Sequence, residues 1–123
     1  MASANPLVCI VDDDDSVRRA FGRMVKSMGC DTVLLSSGQE CLDSSYVDHA
    51  ACLIIDVSMP DIDGFELDTL LKANGCSVPT IFMSAYSDES YRDKARLAGA
   101  VGFLSKPCDE TQLQEVIDAV LAP

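Results

Sequence analysis

The chain has 123 residues, of which 48% are hydrophobic and 24% are charged, and this composition is typical of one globular domain. Nine Lys and Arg stand against twenty Asp and Glu, so the formal net charge is −11. Such a charge would repel nucleic-acid phosphates and anionic membrane surfaces. We therefore expect residues 1–123 to form a single domain with no direct nucleic-acid binding and no membrane binding.

No apolar run approaches the ~20 residues of a membrane span, and Met1 to Pro6 lacks the basic and apolar regions of a signal peptide. We therefore expect a soluble, cytoplasmic protein. Six Cys are spread along the chain without a C-x-x-C pair, and the only His is His49. This spacing disfavours a zinc site and indicates thiols that pack as small hydrophobic side chains in a reducing compartment.

Five short apolar runs alternate with segments of helical periodicity, a pattern that predicts an α/β fold with a doubly wound, five-stranded parallel sheet. The runs are apolar throughout, as in strands covered on both faces. The predicted strands are Leu7 to Val11, Thr32 to Leu35, Ala51 to Ile55, Thr80 to Met83 and Val101 to Leu104.

The first predicted helix has apolar residues at helical spacing from Val17 to Met28, and Gly29 supplies a C-terminal stop. Its basic residues are expected to face water; they are Arg18, Arg19, Arg23 and Lys26. The second helix opens with Ser37 and Glu40 at the spacing of a capping box.

The third predicted helix carries Leu67, Leu70 and Leu71 on its apolar side and ends near Asn74-Gly75. The fourth, from Asp88 to Ala98, has only a thin apolar stripe, so we expect it to be weakly held and mobile. The fifth is amphipathic; its apolar residues are Leu113, Val116, Ile117, Val120 and Leu121.

Polar side chains follow four of the strands, at the edge where an open parallel sheet binds its ligands. They are Asp12 to Asp15, Asp56, Ser84 and Lys106. Carboxylates gathered there at ~4 Å would repel by roughly 4 kcal/mol per pair at an effective dielectric of about 20, so a cation must sit among them. Mg²⁺ fits, because it prefers oxygen ligands and binds few protein carboxylates.

Four motifs carry a family resemblance. They are Ile10-Val11-Asp12-Asp13, Ile54 to Gly64, Ser84-Ala85 and Phe103-Leu104-Ser105-Lys106-Pro107. In this order they resemble response-regulator receiver domains of two-component signalling, over Leu7 to Leu121. The sequence is most similar to receivers that precede a helix-turn-helix DNA-binding domain. The resemblance implies a flavodoxin-like (βα)5 fold with strand order 2-1-3-4-5.

The resemblance implies that Asp56 is the phosphoacceptor, modified by a histidine kinase or a small phosphodonor. It also implies a Mg²⁺ site, with Mn²⁺ as a substitute ion. Asp13, Asp56 and the backbone carbonyl of Ser58 would be ligands, and Asp12 would act through metal-bound water. The chain would then be a signalling switch and not an enzyme beyond its own phosphorylation and dephosphorylation.

The resemblance implies that Lys106 pairs with phosphoryl oxygens and that Ser84 hydrogen-bonds one of them. It also implies that Phe103 transmits the phosphorylation to the surface. Movement of Ser84 would let Phe103 turn inward and change the face made by the fourth helix, fifth strand and fifth helix. That face would bind an output domain or partner, or form a phosphorylation-dependent homodimer. The Lys106-Pro107 bond is expected to be cis.

Several alternatives remain open at this stage. A pseudo-receiver would fold without being phosphorylated, whereas an aspartyl-phosphate hydrolase would need Asp where Ser58 stands.

Cys108 replaces the aromatic residue usual after Lys-Pro and is interpreted as a packing residue without a redox role. The acids Asp14, Asp15, Asp61 and Asp63 are interpreted as helix caps or turn residues.

Overall fold

Five parallel strands form one sheet in the order β2-β1-β3-β4-β5, as the resemblance implies. The structure is a computed structural model that describes residues 5–86 and 89–122. Every predicted strand is confirmed, with its ends displaced by at most one residue. The strands are β1 (Leu7–Val11), β2 (Asp31–Leu35), β3 (Cys52–Asp56), β4 (Thr80–Ser84) and β5 (Gly102–Ser105).

A helix follows each strand, which confirms the predicted alternation. The helices are α1 (Asp15–Ser27), α2 (Gly38–Asp43), α3 (Gly64–Ala73), α4 (Glu89–Leu97) and α5 (Glu110–Leu121). A short 3-10 turn, Val47–His49, precedes β3. The fourth helix was expected to begin at Asp88, which lies outside the described residues.

Two apolar layers cover the sheet, one on each face. Alternate residues of β1 point to opposite layers, so Val8 and Ile10 pack with α1 and α5, whereas Cys9 and Val11 pack with α2, α3 and α4. Strands β3 and β4 are buried along their whole length. This double cover is the reason that the strand sequences are apolar without alternation.

Helix α3 departs in part from its predicted apolar side. Leu67 and Leu71 are buried, but Leu70 is 42% exposed, because it lies on the outer side of the helix. The thin apolar stripe of α4 is confirmed among the described residues, where Ala95 is the buried member of the helix. None of the helices within the described ranges is long and apolar enough to span a bilayer.

The first turn of α2 differs from the predicted capping box. Ser37 accepts a hydrogen bond from the backbone N–H of Glu40 at 3.0 Å, which is half of the motif. The Glu40 carboxylate accepts from the hydroxyl of Ser36 at 2.9 Å instead. A complete capping box forms at α5, between Asp109 and Gln112.

Candidate functional site

The carboxyl ends of β1 and β3 bring three acids together at one edge of the sheet. Asp12, Asp13 and Asp56 each offer a carboxylate oxygen, and these oxygens all lie within 4.8 Å of one another. Asp12 and Asp56 are buried, whereas Asp13 is exposed. The sequence predicted this gathering, because Val11 and Ile55, which precede two of the acids, are paired in the sheet.

Lys106 bridges two of these acids from the end of β5. Its Nζ lies 2.8 Å from Asp12 Oδ2 and 3.2 Å from Asp56 Oδ2. Burial lowers the pKa of Lys106, but its hydrogen bond to Asp12 and the charges of both carboxylates outweigh burial, so the pKa is raised. The ammonium group therefore stays protonated, and the Lys106–Pro107 peptide bond is cis as expected.

Asp56 has the most perturbed carboxyl group of the site. Burial, together with the nearby charge of Asp12, raises its pKa to about 6. Lys106 and a 3.3 Å hydrogen bond from the backbone N–H of Ser58 act in the opposite direction. Three acids and one Lys leave the pocket short of positive charge, which is the condition that favours a bound cation.

A small hard divalent cation suits this donor set. The three carboxylates supply oxygen ligands, and the exposure of Asp13 leaves room for water molecules that Mg²⁺ retains. Asp12 is less free than Asp13, because the backbone N–H of Asp14 donates to Asp12 Oδ1 at 2.9 Å while Lys106 binds Oδ2 at 2.8 Å. The backbone carbonyl of Ser58 as a ligand stays a prediction.

Arg18 is a site neighbour that the sequence pattern assigned wrongly. It was expected to face water with the other basic residues of α1, but its side chain is only 14% exposed. Its Nη1 donates to the backbone carbonyl of Asp12 at 2.8 Å, and its Nη2 lies 2.6 Å from Asp15 Oδ1. The i, i+3 spacing of Asp15 and Arg18 was the one signal in the sequence that favoured this arrangement.

Ser84 and Phe103 lie on the neighbouring strands. Ser84 is fully buried, and its hydroxyl accepts a hydrogen bond from the backbone N–H of Tyr86 at 2.9 Å. Phe103 is half-buried, with the guanidinium carbon of Arg92 5.0 Å from its ring centroid. Arg92 also donates to the hydroxyl of Ser105 at 3.1 Å, so these contacts join α4 to β5 beside the ring.

Gly64 allows a close approach between β3 and α3. It is the first residue of α3, and a Cβ placed there would lie 2.6 Å from the backbone oxygen of Asp56 and 2.9 Å from the Cα of Val57. Only glycine allows α3 to start this close to the end of β3. The backbone N–H of Gly64 donates to the carbonyl of Val57 at 2.8 Å.

The interpretation of the flanking acids as caps is largely confirmed. Asp14 accepts from the backbone N–H of Val17 at 3.0 Å, and Asp63 accepts from that of Glu66 at 2.8 Å. Asp61 does more than close a turn, because it accepts from the backbone N–H of Gln39 at 3.0 Å. That bond lowers the pKa of Asp61 and ties the β3–α3 loop to the start of α2.

The fold and this edge define the class of protein: an α/β domain with an acidic, Lys-bridged pocket at the carboxyl end of a parallel sheet. Residues 8–118 match the family described as response regulator receiver domain. The chain belongs to that family and is a receiver domain of two-component response regulators.

Named relatives agree with this membership. Nodulation protein W of Bradyrhizobium diazoefficiens is 36% identical over 121 residues, which cover 98% of this chain and 52% of that protein. Response regulator protein TodT of Pseudomonas putida is also 36% identical over 121 residues, covering 98% and 53%. Other relatives are named transcriptional regulatory proteins. The chain spans about half the length of these relatives.

Solved structures show the same fold. Chemotaxis protein CheY4 of Vibrio cholerae superposes with a TM-score of 0.88 at 24% identity, over 96% of this chain and 100% of that one. The superposition therefore shows that the two proteins share a fold.

Proposed function

We propose that Asp56 accepts a phosphoryl group from a histidine kinase or a small phosphodonor and that this modification is the switch of the domain. The observation that carries the proposal is the pocket in which Asp12, Asp13 and Asp56 lie within 4.8 Å of one another while Lys106 bridges two of them. This arrangement suits phosphoryl transfer, which depends mainly on positioning and on neutralising the transferred oxygens.

Each residue of the pocket has a distinct part in the proposed reaction. A carboxylate oxygen of Asp56 attacks phosphorus in line as the bond to the donor breaks, and Lys106 neutralises a phosphoryl oxygen. The chemistry supplied by Mg²⁺ or Mn²⁺, bound through Asp13, Asp56 and the carbonyl of Ser58, is further neutralisation of those oxygens. Asp12 orients water in this site and keeps Lys106 in place.

The same pocket links phosphorylation to a distant surface. Ser84 is one residue beyond the strand position paired with Asp56, and its partner in β5 is Ser105. A shift of the Ser84 hydroxyl toward the phosphoryl group would open space for Phe103 to turn inward. Because Arg92 contacts both Phe103 and Ser105, such a turn would disturb the packing of α4 on β5.

We infer a cytoplasmic signalling switch whose α4-β5-α5 face acts on an output domain or a partner protein, with transcription as the regulated process. A phosphorylation-dependent homodimer through that face is part of the proposal. The net charge of −11 favours delivery of any DNA contact by a separate output domain, for which a helix-turn-helix is the expected class.

The proposal is tested by intact-protein mass spectrometry after incubation with MgCl₂ and acetyl phosphate. We expect the wild type to gain the mass of one phosphoryl group and Asp56→Asn to gain none. Asp48→Asn is the matched control, because Asp48 is an exposed acid in the 3-10 turn that precedes β3, at the opposite end of that strand from Asp56, and this variant should react like the wild type.

Two results would contradict the proposal. A wild-type mass that stays unchanged, under conditions in which another receiver is modified, would indicate a pseudo-receiver. Rapid turnover of generic phosphoesters such as p-nitrophenyl phosphate would indicate a hydrolase instead of a switch.

A further inference from the structure

The peptide bond between Asp12 and Asp13 is held in place by Arg18. Arg18 Nη1 donates to the carbonyl oxygen of Asp12 at 2.8 Å, although Arg18 belongs to the following helix. A peptide group is planar, so the Asp12 carbonyl and the Asp13 N–H turn as one unit. The guanidinium group therefore fixes the plane from which the backbone of Asp13 departs.

Asp13 depends on this plane more than its neighbours do. The side chain of Asp12 is fixed by the Asp14 N–H and by Lys106, and that of Asp56 by Ser58 and Lys106. The Asp13 carboxylate is exposed, and no hydrogen bond or ion pair with another described residue orients it. The direction in which its side chain leaves the main chain is consequently set by the backbone alone.

The chemistry of arginine explains why this residue can hold the plane. A guanidinium group is flat and always charged, and its two terminal nitrogens can bind two acceptors at once. Here Nη1 binds the Asp12 carbonyl while Nη2 binds Asp15 Oδ1 at 2.6 Å. With only 14% of the side chain exposed, the group has little freedom to rotate away from either acceptor.

We propose that Arg18 is a positioning residue that aims Asp13 at the divalent cation. The proposal rests on the function proposed above, because it presumes that the three acids bind Mg²⁺. The proposal predicts an effect on Mg²⁺ affinity opposite to the one expected from the charge of Arg18. A positive charge beside an acidic pocket opposes cation binding, so removing it by Coulomb effects alone would tighten the binding of Mg²⁺.

The test is isothermal titration of metal-free protein with MgCl₂, in which no phosphoryl chemistry occurs. Arg18→Met should weaken Mg²⁺ binding by about tenfold, a loss typical of residues that orient metal ligands. Arg19→Met is the matched control. Arg19 carries the same charge on the same helix and pairs with Asp15 at 3.3 Å, but its side chain is 67% exposed. We expect Arg19→Met to bind Mg²⁺ as tightly as the wild type or slightly more tightly.

Arg18→Lys separates position from charge. Lysine retains the charge but lacks the planar fork of the guanidinium group, so it cannot hold the Asp12 carbonyl and Asp15 in the same fixed geometry. We expect Mg²⁺ affinity between those of Arg18→Met and the wild type. At saturating MgCl₂ the phosphorylation rates of all three proteins should converge, because Arg18 does not contact the transferred group.

Unfolding by urea, followed by circular dichroism, checks that each variant is folded. The inference is overturned if a folded Arg18→Met or Arg18→Lys binds Mg²⁺ as tightly as Arg19→Met. If Arg18→Met does not fold, the comparison of Arg18→Lys with Arg19→Met decides. A wild type that binds no Mg²⁺ would refute the proposed metal site itself, which is a different outcome from equal affinities among the variants.

Discussion

Replacing Asp56 with Asn should stabilise the metal-free protein at neutral pH. Burial and the charge of Asp12 raise the pKa of Asp56 from its ordinary 3.8 to about 6. At about 1.4 kcal/mol per pKa unit, ionising this carboxyl destabilises the folded state by up to ~3 kcal/mol. Asn keeps the shape without the charge. We expect a gain of about 1–3 kcal/mol in the free energy of unfolding, because relaxation around buried charges reduces such effects.

The free energy gained by replacing Asp56 with Asn should depend on pH. A carboxyl whose pKa is higher in the folded state binds its proton more tightly there. Its stabilising contribution is complete below the unfolded pKa near 3.8 and is lost as the pH rises through about 6. The difference in stability between Asp56→Asn and the wild type should therefore be small near pH 4, grow between pH 4 and 6, and stay constant above pH 7.

Urea unfolding in EDTA at several pH values between 4 and 8 measures this difference. With a urea m-value of about 1–3 kcal/mol/M for a small domain, the midpoint should rise by ~1 M at pH 7. Asp48→Asn is the control for removing an exposed acid and should change the midpoint little. A midpoint for Asp56→Asn equal to or below that of the wild type at pH 7 would refute the reasoning, as would a difference independent of pH.

Three further changes test the packing around the site. Gly64→Ala should lower the urea midpoint and slow phosphorylation by acetyl phosphate, because its methyl group would meet the backbone that ends β3; unchanged values would contradict the close approach. Lys72→Met should destabilise the domain by about 1–3 kcal/mol, since Lys72 pairs with buried Asp68 at 2.9 Å and donates to a carbonyl after α4; exposed Lys26→Met should not. In native protein, iodoacetamide followed by peptide mapping should modify Cys108 ahead of the five buried thiols; early modification elsewhere would contradict this.

The strands and most helices could be predicted because local sequence carries their signals. The run Cys52–Asp56 is apolar until its final acid, and burial on both faces requires that pattern. Gly29 and Gly75 have φ values of 88° and 89°, which explains why glycine marks the ends of α1 and α3. The hydrogen bond from the Glu40 N–H to Ser37 could also be predicted from the sequence. The bond from the Ser36 hydroxyl to the Glu40 carboxylate could not.

The gathering of Asp12, Asp56 and Lys106 was determined by the sequence alone, because parallel strands end at one edge of a sheet and each residue directly follows or ends its strand. Tertiary structure decided how the pocket is supported. The helical pattern places Arg18 on the polar face of α1. In the folded chain the Arg18 side chain turns inward, because the carbonyl of Asp12 lies within hydrogen-bonding distance. A contact between a side chain and a backbone oxygen leaves no periodic trace in the sequence, so only the folded chain reveals it.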